Sequence, residues 1–306
     1  MDIAHRRPAA RHAVVAPLTV VALLVVLATL GPSPGCAPGP GSGSGTPDTA
    51  GHPVTIRIAG SDTMGPLLRR WAEVYMRMHA DVAIYVDGGG SRRGIDRLIE
   101  GDVDLAAASR AMRANEVKRL HDRHGFLGLS VLTAKDALSV YLNRANPVDN
   151  LTIAQLRDIF TGTAHHWSAV GGNDIPILII HRNPNSGTHF FFRQRVLEAA
   201  PYGGESRTVS TTQAVVDAVA AEPGAVGYGG LVFGESVRHC RIEGVEPTLD
   251  NVRNGTYPLA RYLYLYAAGP LDGAIRQYVD WILSDEGQRT VAEVGYIPLW
   301  DPGTAP

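Results

Sequence analysis

Four short segments of the chain are rich in glycine, serine, threonine and arginine, the residues with which proteins bind oxyanions. They are residues 60–66, 88–94, 109–110 and 182–188. Glycine lets the backbone approach an anion closely, and serine or threonine adds a neutral hydroxyl donor. Arginine adds a fixed positive charge and a forked set of donors that suits two oxygens of one anion. These segments predict a site for a small tetrahedral oxyanion.

Each segment also has a purely structural interpretation. Residues 60–66 and Ser186-Gly187-Thr188 are typical of helix caps, and residues 88–90 of a tight turn. Arg182 could form a surface ion pair that contributes little. Because the same architecture recurs after successive predicted strands, the pattern favours the binding interpretation over the structural one.

The segments lie at junctions between predicted strands and helices, which favours an α/β fold. Residues 54–58, 82–86 and 104–108 have strand patterns, and residues 67–78 and 95–99 have helix patterns. Further strands are predicted at residues 137–142, 175–180, 226–228 and 262–266, and further helices at residues 152–160, from 188, 212–221, 271–284 and 285–294. This alternation predicts a mixed, mostly parallel sheet flanked by helices, with ligand loops at the carboxyl ends of the strands.

The order of the predicted elements suggests two lobes. The first lobe is predicted to comprise residues 53–133 and 234–303, and the second residues 134–233. The chain would cross from one lobe to the other near residue 134 and return near residue 233. Donor loops from both lobes could then face one cleft.

The N-terminal region is typical of an export signal. A basic start precedes an uncharged apolar run at residues 13–30, and Gly35-Cys36 follows. Cys36 after a small residue resembles the lipobox of bacterial lipoproteins, which predicts a lipoprotein signal at residues 1–36 with Cys36 lipidated. A retained membrane anchor is the alternative. Residues 37–52, rich in Gly, Pro, Ser and Thr, are predicted to be a flexible linker, so the folded part would lie outside the cytoplasm, tethered to the membrane.

Composition argues against several classes of function. The net charge of −2 gives no global positive field that would attract nucleic acid. Two cysteines, Cys36 and Cys240, are too few for a disulfide framework or a structural zinc site. His121 and His124 lack a third metal ligand in the sequence, so no metal site and no cofactor are expected. The Gly-x-Ser-x-Gly pattern of a nucleophile elbow is also missing.

Several stretches of the chain are similar to one protein family. They include Ala59-Gly-Ser-Asp-Thr-Met64, Asp87-Gly-Gly-Gly-Ser91, Asp104-Leu-Ala-Ala-Ala-Ser-Arg110, Arg182-Asn-Pro-Asn-Ser-Gly-Thr188 and Gly295-Tyr-Ile-Pro-Leu299. In order and spacing they resemble the phosphate-binding proteins of the Pst-type phosphate ABC transporters, a branch of the type II periplasmic binding proteins. The resemblance covers residues 54–299.

This resemblance implies a two-lobed clamshell that is not an enzyme and holds a dehydrated phosphate for an ABC transporter permease. The phosphate ligands that it implies are Ser61, Asp62, Thr63, Ser91, Ser109, Arg110, Arg182, Ser186, Gly187 and Thr188. Some family members carry a proton-accepting carboxylate where Arg110 stands, and Asp62 or Asp87 could replace it. Arg92 and Arg93 also depart from the family's glycine loop. Three alternatives stay open: another oxyanion, a sensor uncoupled from transport, and an exported phosphate-ester hydrolase with Ser61 or Ser186 as nucleophile.

Overall fold

The structure is a computed structural model, and it describes residues 53–303. Its β-strands belong to one ten-stranded sheet. The strands are β1 (Val54–Gly60), β2 (Val82–Asp87), β3 (Leu105–Ala108), β4 (Leu129–Leu142), β5 (Asn150–Leu151), β6 (Leu178–Arg182), β7 (Ser206–Val209), β8 (Ala225–Gly230), β9 (Arg238–Ile242) and β10 (Ala260–Ala267). The predicted signal and linker, with Cys36, lie outside the described residues.

Helices of between one and four turns connect the strands. They are α1 (Gly65–Met78), α2 (Ser91–Glu100), α3 (Ala114–His124), α4 (Ile153–Phe160), α5 (Gly187–Arg195), α6 (Thr212–Ala221), α7 (Leu249–Arg253), α8 (Gly273–Ile282) and α9 (Asp285–Glu293). Short 3₁₀ turns precede α1 and follow α4 and β8. Within residues 53–303, no helix has the length and apolarity needed to cross a membrane.

The sheet has parallel strands at both ends and antiparallel strands in the middle. Its order is β2-β1-β3-β10-β4-β8-β6-β7, with β9 beside β4 and β5 beside β9. β1 pairs in parallel with β2 and β3, and β6 pairs in parallel with β7 and β8. β4 and β10 pair with each other antiparallel. The predicted α/β class with a mixed sheet is therefore confirmed.

The local sequence explains where α1 and α4 begin and which face of α1 is buried. Pro66 lies in the first turn of α1, where its missing N–H costs nothing, and Leu67, Trp71 and Tyr75 on one face are fully buried. Thr152 caps α4: its hydroxyl accepts from the Gln155 N–H at 3.1 Å, and its own N–H donates to the Gln155 side chain at 2.9 Å. The predicted start of α4 is confirmed, and α1 begins at Gly65, two residues before its predicted bound.

β4 links two hydrophobic clusters. Its first part, up to Ala137, pairs with β10, and from Leu138 onward it pairs with β8. One cluster gathers side chains of β1, α1, α8 and α9, and the other gathers side chains of α4, α5 and β8. Because a single strand serves both clusters, the register of β4 fixes where the two halves of the sheet meet.

The segment from β9 to β10 packs with the second cluster. Cys240, Ile242, Val252 and Tyr257 are buried beside residues of β4, α4 and β8. Cys240 is a free, buried cysteine among the described residues. Residues 238–259 thus contact the half of the sheet that contains β6 and β8, although they follow the predicted return point near residue 233.

Two strands begin three or more residues away from their predicted starts. β4 begins at Leu129, eight residues before the predicted start, because its first part is an exposed partner of β10 rather than a buried strand. β6 begins at Leu178, not at Ile175, because Pro176 has no N–H to donate to a neighbouring strand.

Candidate functional site

The hydroxyls of Thr63 and Thr188 form the centre of the candidate site. Thr63 lies in the loop that follows β1, and Thr188 is the second residue of α5, which follows β6. Their Oγ1 atoms are 2.8 Å apart, and both side chains are buried. Two loops that are 125 residues apart in sequence therefore bring hydroxyl donors to one point.

Ser91 and Ser109 extend this hydroxyl cluster. Ser91 is the first residue of α2, and Ser109 follows β3. Their Oγ atoms are 3.4 Å apart, and the Ser109 N–H donates to Ser91 Oγ at 3.1 Å. Gly187 lies directly against them: a Cβ on Gly187 would be 2.3 Å from Ser91 Oγ and 2.6 Å from Ser109 Oγ. Only glycine permits this approach.

Arg182 supplies the positive charge of the site. It ends β6 and is only 1% exposed. One terminal nitrogen donates to Asp62 Oδ2 at 2.5 Å, and the other donates to Thr212 Oγ1 at 3.0 Å. The buried Nε has no hydrogen-bond partner in the described residues. The guanidinium is therefore held in place by two partners, and its Nε–H donor stays unpaired.

Asp62 is a carboxylate that bonds the arginine of this site. Besides Arg182, it accepts a hydrogen bond from the Gly89 N–H at 2.9 Å, and its side chain is 16% exposed. Asp87 is different, because it is exposed and pairs with Arg97 at 2.7 Å. Of the two carboxylates considered from the sequence, Asp62 lies among the predicted ligands and Asp87 at their edge.

Ser61 and Ser186 occupy helix-cap positions. Ser186 caps α5, with its hydroxyl accepting from the His189 N–H at 3.3 Å. Ser61 precedes the 3₁₀ turn, and its side chain makes no capping hydrogen bond. Ser61 instead lines a cavity of 220 Å³ together with Asp62 and Thr212. The interpretation of Ser186 as a helix cap is thus confirmed. This role is compatible with the prediction that its neighbours Gly187 and Thr188 contact the anion.

Arg110 is engaged by Glu116 rather than by the other predicted ligands. Both terminal nitrogens of Arg110 donate to the Glu116 carboxylate at 2.7 Å, and Arg113 donates to it as well. Burial alone would raise the pKa of Glu116, but the hydrogen bonds from Arg110 and Arg113 lower this pKa to about 2. Glu116 thus stays ionised and fixes Arg110 beside Ser109. Direct contact between Arg110 and an anion stays a prediction.

A buried aromatic group lies behind α5. His189 contacts the Tyr202 ring, and the Tyr202 and Tyr228 hydroxyls are 2.5 Å apart. Burial, with the nearby His181 charge, lowers the pKa of His189 to about 4. His189 is therefore neutral at physiological pH, so its neighbour Arg182 remains the charged group of this loop.

Thr212 and Glu116 are two functional candidates that sequence reasoning missed. Thr212 begins α6, and its hydroxyl orients the Arg182 guanidinium. In the sequence, Thr212 indicates only the start of a helix, because its partner Arg182 is 30 residues away.

Residues 53–303 contain no group of three His, Cys, Asp or Glu side chains that could hold a metal ion.

Comparison with known proteins identifies the family. Residues 41–286 match the model of the PBP superfamily domain. A phosphate-binding protein PstS from Pseudomonas aeruginosa is 31% identical over 263 residues, with 78% of this chain and 81% of the relative covered. The PstS from Bacillus subtilis is 30% identical over 255 residues, with 81% of both chains covered. This chain is a member of the PstS-like phosphate-binding proteins.

Solved structures agree with membership in this PBP family. A putative phosphate ABC transporter substrate-binding protein with bound phosphate from Clostridium perfringens has a TM-score of 0.75 and 30% identity, covering 80% of this chain and all of that chain. An ABC-type phosphate transport receptor from Vibrio cholerae has a TM-score of 0.67 and 28% identity, covering 79% of this chain and 99% of that chain. The fold is accordingly that of the type II periplasmic binding proteins, whose members bind solutes.

Proposed function

We propose that this protein captures inorganic phosphate between two lobes and delivers it to an ABC importer. The observation that carries the proposal is the meeting of Thr63 with Thr188 beside the buried Arg182. Hydroxyl donors from distant loops, one guanidinium and the N-termini of α2 and α5 converge there, as a desolvated tetrahedral anion requires. The relatives named for phosphate binding and transport support the same function.

The anion would stabilise the closed arrangement of the lobes. Its oxygens would replace the direct contacts that Thr63 makes with Thr188 and that Ser91 makes with Ser109, and one oxygen would accept from Arg182 Nε. Only the closed arrangement offers both sets of donors, so phosphate would bind this arrangement more tightly and shift the population toward it. The packing of residues 238–259 with β4 and β8 leads us to extend the second lobe to about residue 259.

Asp62 would select phosphate over sulfate. Phosphate keeps a proton near neutral pH and can donate it to a carboxylate, whereas sulfate has no proton and would be repelled by the same group. The hydrogen bonds that Arg182 and the Gly89 N–H donate to the Asp62 carboxylate support this role, because they fix its orientation. Asp62 would thus be the acceptor that Arg110 cannot be.

Calorimetric titration with phosphate and sulfate tests both parts of the proposal. We expect the unchanged protein to bind phosphate and not sulfate. Asp62→Asn should lose most of this discrimination, because the amide can donate to either anion. Asp87→Asn is the matched control and should retain it, since Asp87 is exposed and paired with Arg97. Equal affinity of the unchanged protein for both anions, or the same loss in both variants, would contradict the role of Asp62.

We also propose that the protein is exported, anchored by a lipid on Cys36 and not an enzyme. The Ser186 hydroxyl bonds only a backbone N–H, and neither Ser61 nor Ser186 contacts a histidine ring or carboxylate that could act as a base in the described residues. A chromogenic phosphate ester should therefore not be hydrolysed. Cys36→Ser should move the protein from the membrane fraction to the soluble fraction, and unchanged membrane retention would count against the lipid anchor.

A further inference from the structure

Two arginines beside the donor loops lack partners. Within residues 53–303, the guanidinium groups of Arg69 on α1 and Arg93 on α2 form neither an ion pair nor a hydrogen bond. Their sequence neighbours differ: Arg70 bonds Glu73 at 3.1 Å, and Arg92 lies 3.7 Å from Asp96. The two unpaired charges are thus available to a mobile ion in solution.

Both side chains fold over glycines of the donor loops. A Cβ on Gly65 would lie 3.2 Å from Arg69 Nη1, and a Cβ on Gly89 would lie 2.8 Å from Arg93 Cδ. Gly89 is the residue whose N–H donates to Asp62. Arg69 therefore lies against Gly65, and Arg93 lies against the glycine that bonds Asp62.

Arg69 also lines the 220 Å³ cavity that reaches Asp62. Ser61, Asp62 and Arg69 line this cavity together with Thr211 and Thr212. Arg69 is exposed to solvent, whereas Thr212 is buried and bonds Arg182. The cavity is thus lined both by the solvent-exposed Arg69 and by Asp62, which pairs with the buried Arg182.

The balance of charge at this entrance is positive. Arg69, Asp62 and Asp87 line the cavity, the two carboxylates pair with Arg182 and Arg97, and Arg93 lies against Gly89, the neighbour of the lining residue Gly88. Each carboxylate is paired at 2.7 Å or less, so its field is largely offset by its partner. The whole chain has a net charge of −2, so the local excess of positive charge comes from the unpaired Arg69 and Arg93.

We propose that Arg69 and Arg93 form an encounter site that attracts phosphate into the cavity before the anion reaches the hydroxyl cluster. The inference rests on the proposed function, because it concerns the entry path of the same anion. Neither guanidinium bonds a residue of the cluster. Their charges consequently accelerate association at long range and leave the dissociation rate of bound phosphate nearly unchanged.

The test is stopped-flow measurement of phosphate association over a range of ionic strengths. A thiol-reactive fluorophore on Gln194→Cys, an exposed position of α5, reports closure in a Cys36→Ser background, because Cys240 is fully buried and unreactive. The variants are Arg69→Gln, Arg93→Gln and the two combined. Two controls remove the same charge elsewhere: Arg70→Gln, which is paired on the same helix, and Arg123→Gln near the C-terminal end of α3.

At low ionic strength we expect each test variant to lower the association rate constant by roughly two- to fivefold, and the combined variant by about tenfold. The differences should vanish near 0.5 M salt, where the screening length falls to about 4 Å. Dissociation rate constants should change less than about twofold, and both controls should match the unchanged protein.

The inference is overturned if the test variants associate as fast as the controls, or if their affinity falls through faster dissociation. Equilibrium calorimetry on the same unlabelled proteins separates this failure from a failure of the proposed function. If the unchanged protein shows no phosphate binding in calorimetry, the proposed function fails. If it binds phosphate and the association rates are unaffected, only the encounter site fails.

Discussion

At the scale of single residues, Gly187 sets how closely the donor loops can approach. A methyl group there would overlap Ser91 Oγ and Ser109 Oγ, which belong to the opposite side of the cleft. We expect Gly187→Ala to weaken phosphate binding at least about tenfold in calorimetry, because the cleft cannot close fully. The midpoint of thermal unfolding without phosphate should change by less than about 3 °C, because opening the cleft relieves the overlap.

A second glycine controls for the general effect of adding a methyl group. Gly269 has no atom closer than 4.0 Å to its would-be Cβ and no positive φ. Gly269→Ala should therefore bind phosphate as the unchanged protein does. If Gly187→Ala also binds normally, the close approach of α5 to the serine pair is not needed for function.

At this scale, the sequence indicates the candidate ligand residues but not the residues with which they form hydrogen bonds. Thr63, Ser91, Arg182 and Thr188 were singled out because glycine and hydroxyls recur after strands, and the structure brings them together. The pairing of Arg182 with Asp62 depends on 120 residues of intervening chain and follows only from the folded loops. For the same reason the sequence could not assign Arg110 to Glu116, although they are six residues apart: α3 had to begin between them.

At the scale of elements, Glu116 anchors the loop between β3 and α3. Because its pKa is about 2 in the folded chain against 4.5 ordinarily, the stability that it contributes is complete above pH 4.5 and is lost as the pH falls toward 2. We expect Glu116→Gln to lower the free energy of unfolding by about 3 kcal/mol at pH 7 and by only about 1 kcal/mol near pH 3. Urea titrations at the two pH values measure this difference.

Glu73→Gln provides the exposed counterpart. Glu73 pairs with Arg70 and Arg77 on the surface of α1, so its loss should cost less than about 0.5 kcal/mol at either pH. If Glu116→Gln lowers the free energy of unfolding by the same amount at both pH values, the Glu116 carboxylate of the unchanged protein is not held in the charged form by Arg110 and Arg113.

Elements whose stability comes from local sequence were predicted, and those that depend on distant partners were missed. α1 and α4 carry apolar faces in their own sequences, with Pro66 in the first turn of α1 and Thr152 capping α4. β9 reads Arg-His-Cys-Arg-Ile and shows no strand pattern, yet it pairs with β4, almost 100 residues away. The first part of β4 contains the buried Asp136, which is compensated by Arg261 on β10 at 2.7 Å. In the sequence alone, Asp136 indicates a loop, because the arginine that compensates its buried charge is far away along the chain.

At the scale of the whole molecule, contacts across the cleft join segments on either side of β4. The Arg92 N–H donates to the Asn185 carbonyl at 3.0 Å, and the Arg261 guanidinium lies 5.5 Å from the centre of the Phe191 ring. With the hydrogen bond between Thr63 and Thr188 and the ion pair between Arg182 and Asp62, these contacts hold the two halves together. We therefore propose that the lobes move about β4 near Ala137 and Leu138, where its partner changes from β10 to β8.

Ligand linkage then predicts a large thermal effect of phosphate. At a free concentration about 1,000-fold above Kd, binding stabilises the folded protein by about 4 kcal/mol, which raises the unfolding midpoint of a chain of this size by roughly 8–16 °C. Sulfate at the same concentration should raise it by less than about 2 °C, because Asp62 disfavours binding. Calorimetric scans measure the midpoints, and small-angle scattering should show a smaller radius of gyration with phosphate only. A midpoint shift without compaction would place phosphate on one lobe and exclude closure about β4.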